Sequence, residues 1–192
     1  KESISSFQHA IKINPNYAEA YNNQGLALKD LRKLDDAVSS FENAIKINPN
    51  YTEAYSNLGI TLNELGKFEE AILNHRKAIK INPNYAETYS NLGIALGELG
   101  KFEEAISFHQ KSQKLNPKYT LAHLNEAMIR LSIGEFEVGW KKYEYRFDKV
   151  DTNPTRYTPD KLWNGNYLDG TLLVWGEQGI GDHIIFGSML AD

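Results

Sequence analysis

Apolar residues along this chain fall into two helical stripes per unit, and the unit recurs. In the stretch 50–83 (NYTEAYSNLGITLNELGKFEEAILNHRKAIKINP), Tyr55, Leu58, Gly59 and Leu62 stand at i, i+3, i+4 and i+7, the spacing of one helix face. Leu65-Gly66-Lys67 interrupts that stripe, and Gly66 suits a helix C-terminus. Phe68, Ala71, Ile72, Ala78 and Ile79 form a second stripe. It ends at Asn82-Pro83, because a proline pushes the residue before it out of the helical region. The pattern begins at Asn16, at Asn50, at Asn84 and, more loosely, at Lys118, each start 34 residues after the last. A fixed period of that length predicts a solenoid of stacked helix-turn-helix units, two helices and two tight turns apiece.

The residues at fixed places in the unit carry a resemblance. Tyr55, Leu58-Gly59, Leu62, Ala71, His75, Ala78 and Pro83 supply an aromatic, a Leu-Gly pair, a large residue, a small one, a ring, a second small one and a terminating proline. In this the chain resembles the tetratricopeptide repeat (TPR) family. The resemblance implies an all-α fold, a right-handed superhelix, with Gly59 and Ala71 small because paired helices approach closely there. Residues 1–15 match the second half of a unit, with Phe7, Ala10 and Pro15 aligning with Phe41, Ala44 and Pro49. Residues 16–151 then hold four units, the last degenerate. The chain reads as cut at both ends, starting inside a repeat and stopping inside an apolar segment.

The fourth unit departs from the pattern. His123 replaces the leading tyrosine, Glu126-Ala127 replaces Leu-Gly, Arg130 replaces leucine, and no proline closes it. Its second helix is rich in aromatics: Phe136, Trp140, Tyr143, Tyr145 and Phe147. Terminal repeats are often atypical because one face meets something other than a repeat, and these rings argue for a further domain. Glu126 and Arg130 lie four apart on an otherwise apolar face, either as an exposed ion pair or as a polar seam against the next domain.

Residues 152–170 lose helical periodicity and carry Pro154, Pro159, Gly165 and Gly170, so they read as a connector. Residues 171–192 read as a short buried strand (TLLVW), a glycine-containing loop and an apolar helix, the β-loop-α opening of an α/β domain. Gly176, Gly179 and Gly181 make a turn able to bring backbone N–H groups to an anion, although their spacing is neither the dinucleotide fingerprint nor a P-loop. Asp182 either caps the next helix or does chemistry. The order of motifs from GEFEVGWKKYEYRF through WNGNYLDGTLLVWGEQGIGD resembles bacterial proteins in which TPR units precede a GT-B, heptosyltransferase-like glycosyltransferase domain. That resemblance implies a Rossmann-like domain starting at 171 and Asp182 as general base toward an acceptor hydroxyl. The nucleotide-sugar half of such an enzyme is not in this sequence, so the chain by itself is expected not to catalyse.

Composition narrows the partners. With 41% hydrophobic and 24% charged residues the chain is ordinary for a soluble protein. A net charge of −4 gives no reason to expect nucleic acid or an anionic membrane. The absence of cysteine excludes disulfides and thiolate metal sites, and a reducing, cytoplasmic setting is the expectation. No apolar run reaches the roughly 20 residues of a membrane span. No metal or cofactor constellation is visible, and His75 and His109, at the ring position of their second helices, read as packing residues.

The candidate chemistry lies on the repeat surface. Asn23, Asn57, Asn91 and Asn125 occupy one helical position in successive units, beside the packed stripe. Stacking aligns them along the side that the first helices line. A carboxamide offers donor and acceptor together, which matches the main chain of an extended peptide. Glu19, Glu53 and Glu87, with Asp30, Glu64 and Glu98, make the same side acidic. In TPR proteins, notably the TPR arm of O-GlcNAc transferases, an equivalent asparagine ladder holds peptide main chain, and the resemblance implies that role here. The alternative is that these asparagines only bridge neighbouring helices. Leu121 and Leu124 replace polar groove residues in the fourth unit, which predicts an apolar pocket at that end or cover by the next domain. The expected function is a protein-interaction module for an extended peptide. The alternatives are the acceptor-recognition arm of a glycosyltransferase and a scaffold without peptide ligand. The apolar face around Phe7 and Ile11 adds an expectation of self-association.

Overall fold

The computed structural model describes residues 2–149. The connector, the β-loop-α segment, the loop glycines Gly176, Gly179 and Gly181, and Asp182 lie outside the described residues.

Each helix forms where the apolar stripes place it. The helices are α1 (Glu2–Ile13), α2 (Ala18–Asp30), α3 (Leu34–Ile47), α4 (Thr52–Glu64), α5 (Phe68–Ile81), α6 (Ala86–Glu98), α7 (Phe102–Leu115), α8 (Thr120–Ser132) and α9 (Phe136–Tyr143), followed by a 3-10 turn at Glu144–Lys149. No strand occurs among the described residues. Acidic pairs such as Glu69-Glu70 open the second helices and a lysine closes each of them, both favourable against the helix dipole.

Two local devices set the turns. Asn14, Asn48, Asn82 and Asn116 turn their Oδ1 atoms back to accept the backbone N–H two residues on, at 3.1–3.2 Å. These side chains hold the chain between units at the point where proline forbids more helix. Within a unit the turn needs a left-handed residue. Gly66, Gly100 and Gly134 provide it at φ of 73°, 71° and 85°, but the first unit uses Arg32 at φ 59°. A side chain there costs roughly 1–2 kcal/mol that glycine avoids.

Packing makes the stack. Every helix contacts the next in the chain, and the first helices also touch along the stack, α2 on α4, α4 on α6 and α6 on α8. The second helices α3, α5 and α7 stand farther apart, in reach of one another only through long side chains, as Arg76 of α5 is of Glu104 of α7 at 4.0 Å. A stack held closer along one edge bends toward it, so the first helices line the inner face. The core between the layers holds Leu28, Phe41, Leu58, Leu62, Ile72, Leu92 and Leu96 with Ala37, Ala71, Ala95 and Ala105.

The rings of the second helices lie against glycines of the first. A Cβ built on Gly59 would stand 2.5 Å from Cε1 of His75, and one on Gly25 would stand 2.6 Å from Cε1 of Phe41. His75 and His109 are therefore core residues, as their position in the unit predicted.

In the fourth unit the expectation of an exposed ion pair is overturned. The Glu126 side chain is fully buried, and Arg130 Nε donates to its Oε1 at 2.8 Å. Lys142 Nζ (2.9 Å), Gln113 Nε2 (2.7 Å) and Gln110 Nε2 (3.1 Å) complete the set. Burial pushes this carboxyl up, but the bonds from Lys142, Gln113, Arg130 and Gln110 outweigh it and hold it below its ordinary value. The seam joins α8 to α7 and α9. Of the aromatics, Phe136 is 61% exposed, Trp140 meets Tyr143 edge-on, and Tyr145 stacks on His123. At the other end, Phe7 and Ile11 of α1 are half-buried.

Candidate functional site

The inner face carries the asparagine column, and its members differ. Asn23 is exposed, while Asn57, Asn91 and Asn125 are half-buried. Asn57 Nδ2 donates to Oδ1 of Asn22 at 3.0 Å, so at that step the amide bridges two repeats. Asn22 itself is buried. The side chains of Asn91 and Asn125 make no hydrogen bond among the described residues, although the backbone oxygen of Asn91 accepts from Asn63 Nδ2 at 3.4 Å. The bridging reading therefore holds at Asn57, while the Asn91 and Asn125 amides have no side-chain partner among the described residues.

The acidic residues also divide. Glu64 is held by Lys29 at 3.4 Å and Arg32 at 3.1 Å. Glu98, one unit on, makes no ion pair among the described residues, because Asn63 and Gly66 stand where Lys29 and Arg32 stood. Glu19, Glu53 and Glu87 form the edge of the face beside the inter-unit tyrosines. Burial and then Glu87 and Glu53 push the Tyr85 phenol up, and burial, Glu19 and Glu53 do the same for Tyr51.

A pocket of about 260 Å³ opens between α6 and α8 at the C-terminal end of this face. Ile94, Met128 and Ile129 wall it, Asn125 and Glu98 bring polar groups, and His109 lines it from below. It exists because Gly97 falls where Lys29 and Asn63 stand in earlier units. The two leucines expected to form an apolar end, Leu121 and Leu124, do not line it. Met128 and Ile129 do, and the sequence signal for them was an apolar pair at the inner-face positions of α8. Gly97 was missed because a glycine inside a helix breaks no period. Among the described residues no group of histidine, aspartate and glutamate could hold a metal ion, and no helix is long and apolar enough to cross a membrane.

Comparison with known proteins agrees with this architecture. Family models described as tetratricopeptide repeat match residues 18–51, 86–119 and 40–73, and one described as TPR repeat matches 61–100. Protein FlbA of Caulobacter vibrioides is 39% identical over 56 residues, which is 28% of this chain but only 9% of that protein. The chain thus spans under a tenth of the length of that curated relative. Among solved structures, MamA from Desulfovibrio magneticus superposes with a TM-score of 0.70 at 20% identity, over 78% of this chain and 86% of that one. A thermophilic TPR protein from Thermus thermophilus gives 0.65 at 26% identity, over 70% and 75%. YrrB, described as a TPR protein with an unusual peptide-binding site, gives 0.63 at 21% identity, over 75% and 74%. The family matches together run from residue 18 to residue 119, more than half of the 192-residue chain, and this chain belongs to the tetratricopeptide repeat family.

Proposed function

We propose that this chain is a protein-interaction module whose inner face holds an extended segment of a partner protein. The observation that carries the reading is the pair of amides at Asn91 and Asn125, which stand one repeat apart on the first-helix face without partners among the described residues. An extended backbone presents N–H and C=O groups that such amides pair with two at a time. Glu53 and Glu87 edge the same path and favour a segment with positive charge.

Random-peptide selection against the full chain, followed by fluorescence anisotropy on the recovered sequences, tests the reading. The Asn91→Ala, Asn125→Ala double variant is expected to lose at least tenfold in affinity, about 1.4 kcal/mol. Asn57→Ala is expected to lose less, because Asn57 already serves Asn22. Recovered peptides that bind the double variant as well as the parent would sink the proposal.

A second reading, the recognition arm of a glycosyltransferase, is favoured by the motif order leading to Gly181-Asp182. Its test is sugar-nucleotide turnover by a protein carrying this chain and a second nucleotide-binding domain, lost on Asp182→Asn.

A further inference from the structure

We propose that the pocket between α6 and α8 takes an arginine or lysine side chain of the bound segment. This inference rests on the groove reading above and adds the chemistry of the anchoring residue.

The argument starts from what the repeat does elsewhere. At the step from α2 to α4, Lys29 and Arg32 reach across and neutralise Glu64. At the step from α4 to α6, Asn63 reaches the backbone oxygen of Asn91, but nothing reaches Glu98. At the step from α6 to α8, Gly97 has no side chain to send across. The gap between α6 and α8 therefore has Glu98 at its rim, a carboxylate without the cations that Glu64 draws from its preceding unit, and Ser132 across from it. Arginine and lysine are what the same carboxylate position binds within this chain, so the missing partner has a known chemistry.

The rest of the lining fits the other half of such a side chain. Ile94, Ile129 and Met128, the last 56% exposed, present an apolar wall for an aliphatic stem. Long cationic side chains bury their stem on apolar surface while the charged head stays with polar groups. The volume, about 260 Å³, lies below the roughly 300–1,000 Å³ of small-molecule sites and leaves room for one long side chain. His109 lines the pocket, fully buried, with an Nε2 that has no hydrogen-bond partner. That nitrogen packs against Gly93, and burial keeps the ring neutral at ordinary pH, so it does not repel a cation. Asn125 lines the same pocket, so its amide meets the main chain close to where the side chain enters.

The test compares selections from one random-peptide library against the full chain and two variants. The parent is expected to return peptides with arginine or lysine fixed at one position. Glu98→Lys is expected to return aspartate or glutamate at that position, and to bind the parent's peptides at least tenfold more weakly. Gly97→Asn, which installs the residue of the preceding unit, is expected to weaken the parent's peptides by a similar factor. Thermal melts of both variants confirm that the stack is intact. Peptides that need Asn91 and Asn125 but carry no fixed cation, or that bind Glu98→Lys unchanged, overturn the pocket inference and leave the groove standing. Peptides that ignore Asn91 and Asn125 overturn both.

Discussion

His75 offers a clean measurement of what a histidine costs in a repeat core. Its side chain is fully buried, and neither ring nitrogen has a hydrogen-bond partner. Burial lowers its pKa from 6.5 to about 4, while the unfolded chain keeps the ordinary value. The unfolded state therefore binds more protons below pH 6.5, and stability falls as pH drops from 6.5 toward 4. Above 6.5 neither state binds the proton and the histidine adds no pH dependence. Those two values place the loss at about 2 kcal/mol at pH 5 and about 3 kcal/mol at pH 4. Phe41 already occupies the same position against Gly25 as His75 does against Gly59, so His75→Phe has a precedent for its shape within the chain. The assay is urea denaturation of parent and His75→Phe between pH 7.5 and pH 5. The window stays above the range in which the Glu126 carboxyl titrates, since that group is held below its ordinary 4.5. The variant is expected to be less sensitive by about 2 kcal/mol at pH 5, whatever its stability at pH 7. Parallel pH profiles for parent and variant would refute the reasoning, because they would mean that the ring protonates in the folded state as easily as in the unfolded one.

Three more outcomes are expected from the packing. Gly59→Ala puts a methyl 2.5 Å from the His75 ring and is expected to cost about 1–3 kcal/mol by chemical denaturation. Arg32→Gly relieves a left-handed side chain and loses an exposed pair to Glu64, so a net gain of about 0.5–1 kcal/mol in urea is expected, and a loss would contradict the strain argument. Glu126→Leu restores the residue type of Leu58 and Leu92 but leaves Arg130, Lys142, Gln110 and Gln113 facing an apolar group. It is expected to destabilise by about 3–5 kcal/mol, with loss of amide protection in α9 as the local reading.

Most of the helix layout could be read from the chain because one spacing rule acts again and again. The stripe through Tyr55, Leu58 and Leu62 recurs as Tyr89, Leu92 and Leu96, and a left-handed residue ends the first helix of each unit, so the copies reinforce one another. What could not be read are the places where the copies differ. Whether Glu126 is exposed or buried depends on Gln110 and Gln113 of α7, which no period links to it. Similarly, the asparagine column looks uniform until Asn22, a residue outside the repeated set, turns out to bond Asn57. The pocket is the extreme case, since it is made by the absence of a side chain at Gly97. Periodicity reports the shared scaffold, and the functional detail sits in its exceptions.

The contact pattern also governs how force and disorder move through the molecule. Among the described residues each helix packs mainly on its neighbours in the chain and, for the first helices, on the next first helix along the stack. Such an array behaves as a row of coupled springs rather than a block, so opening one unit loosens the next and little beyond it. A segment lying across α6 and α8 would clamp two adjacent springs. Its grip would then be registered as slower unravelling from the chain ends as well as an affinity, which makes the groove a control on the stack's mechanical persistence.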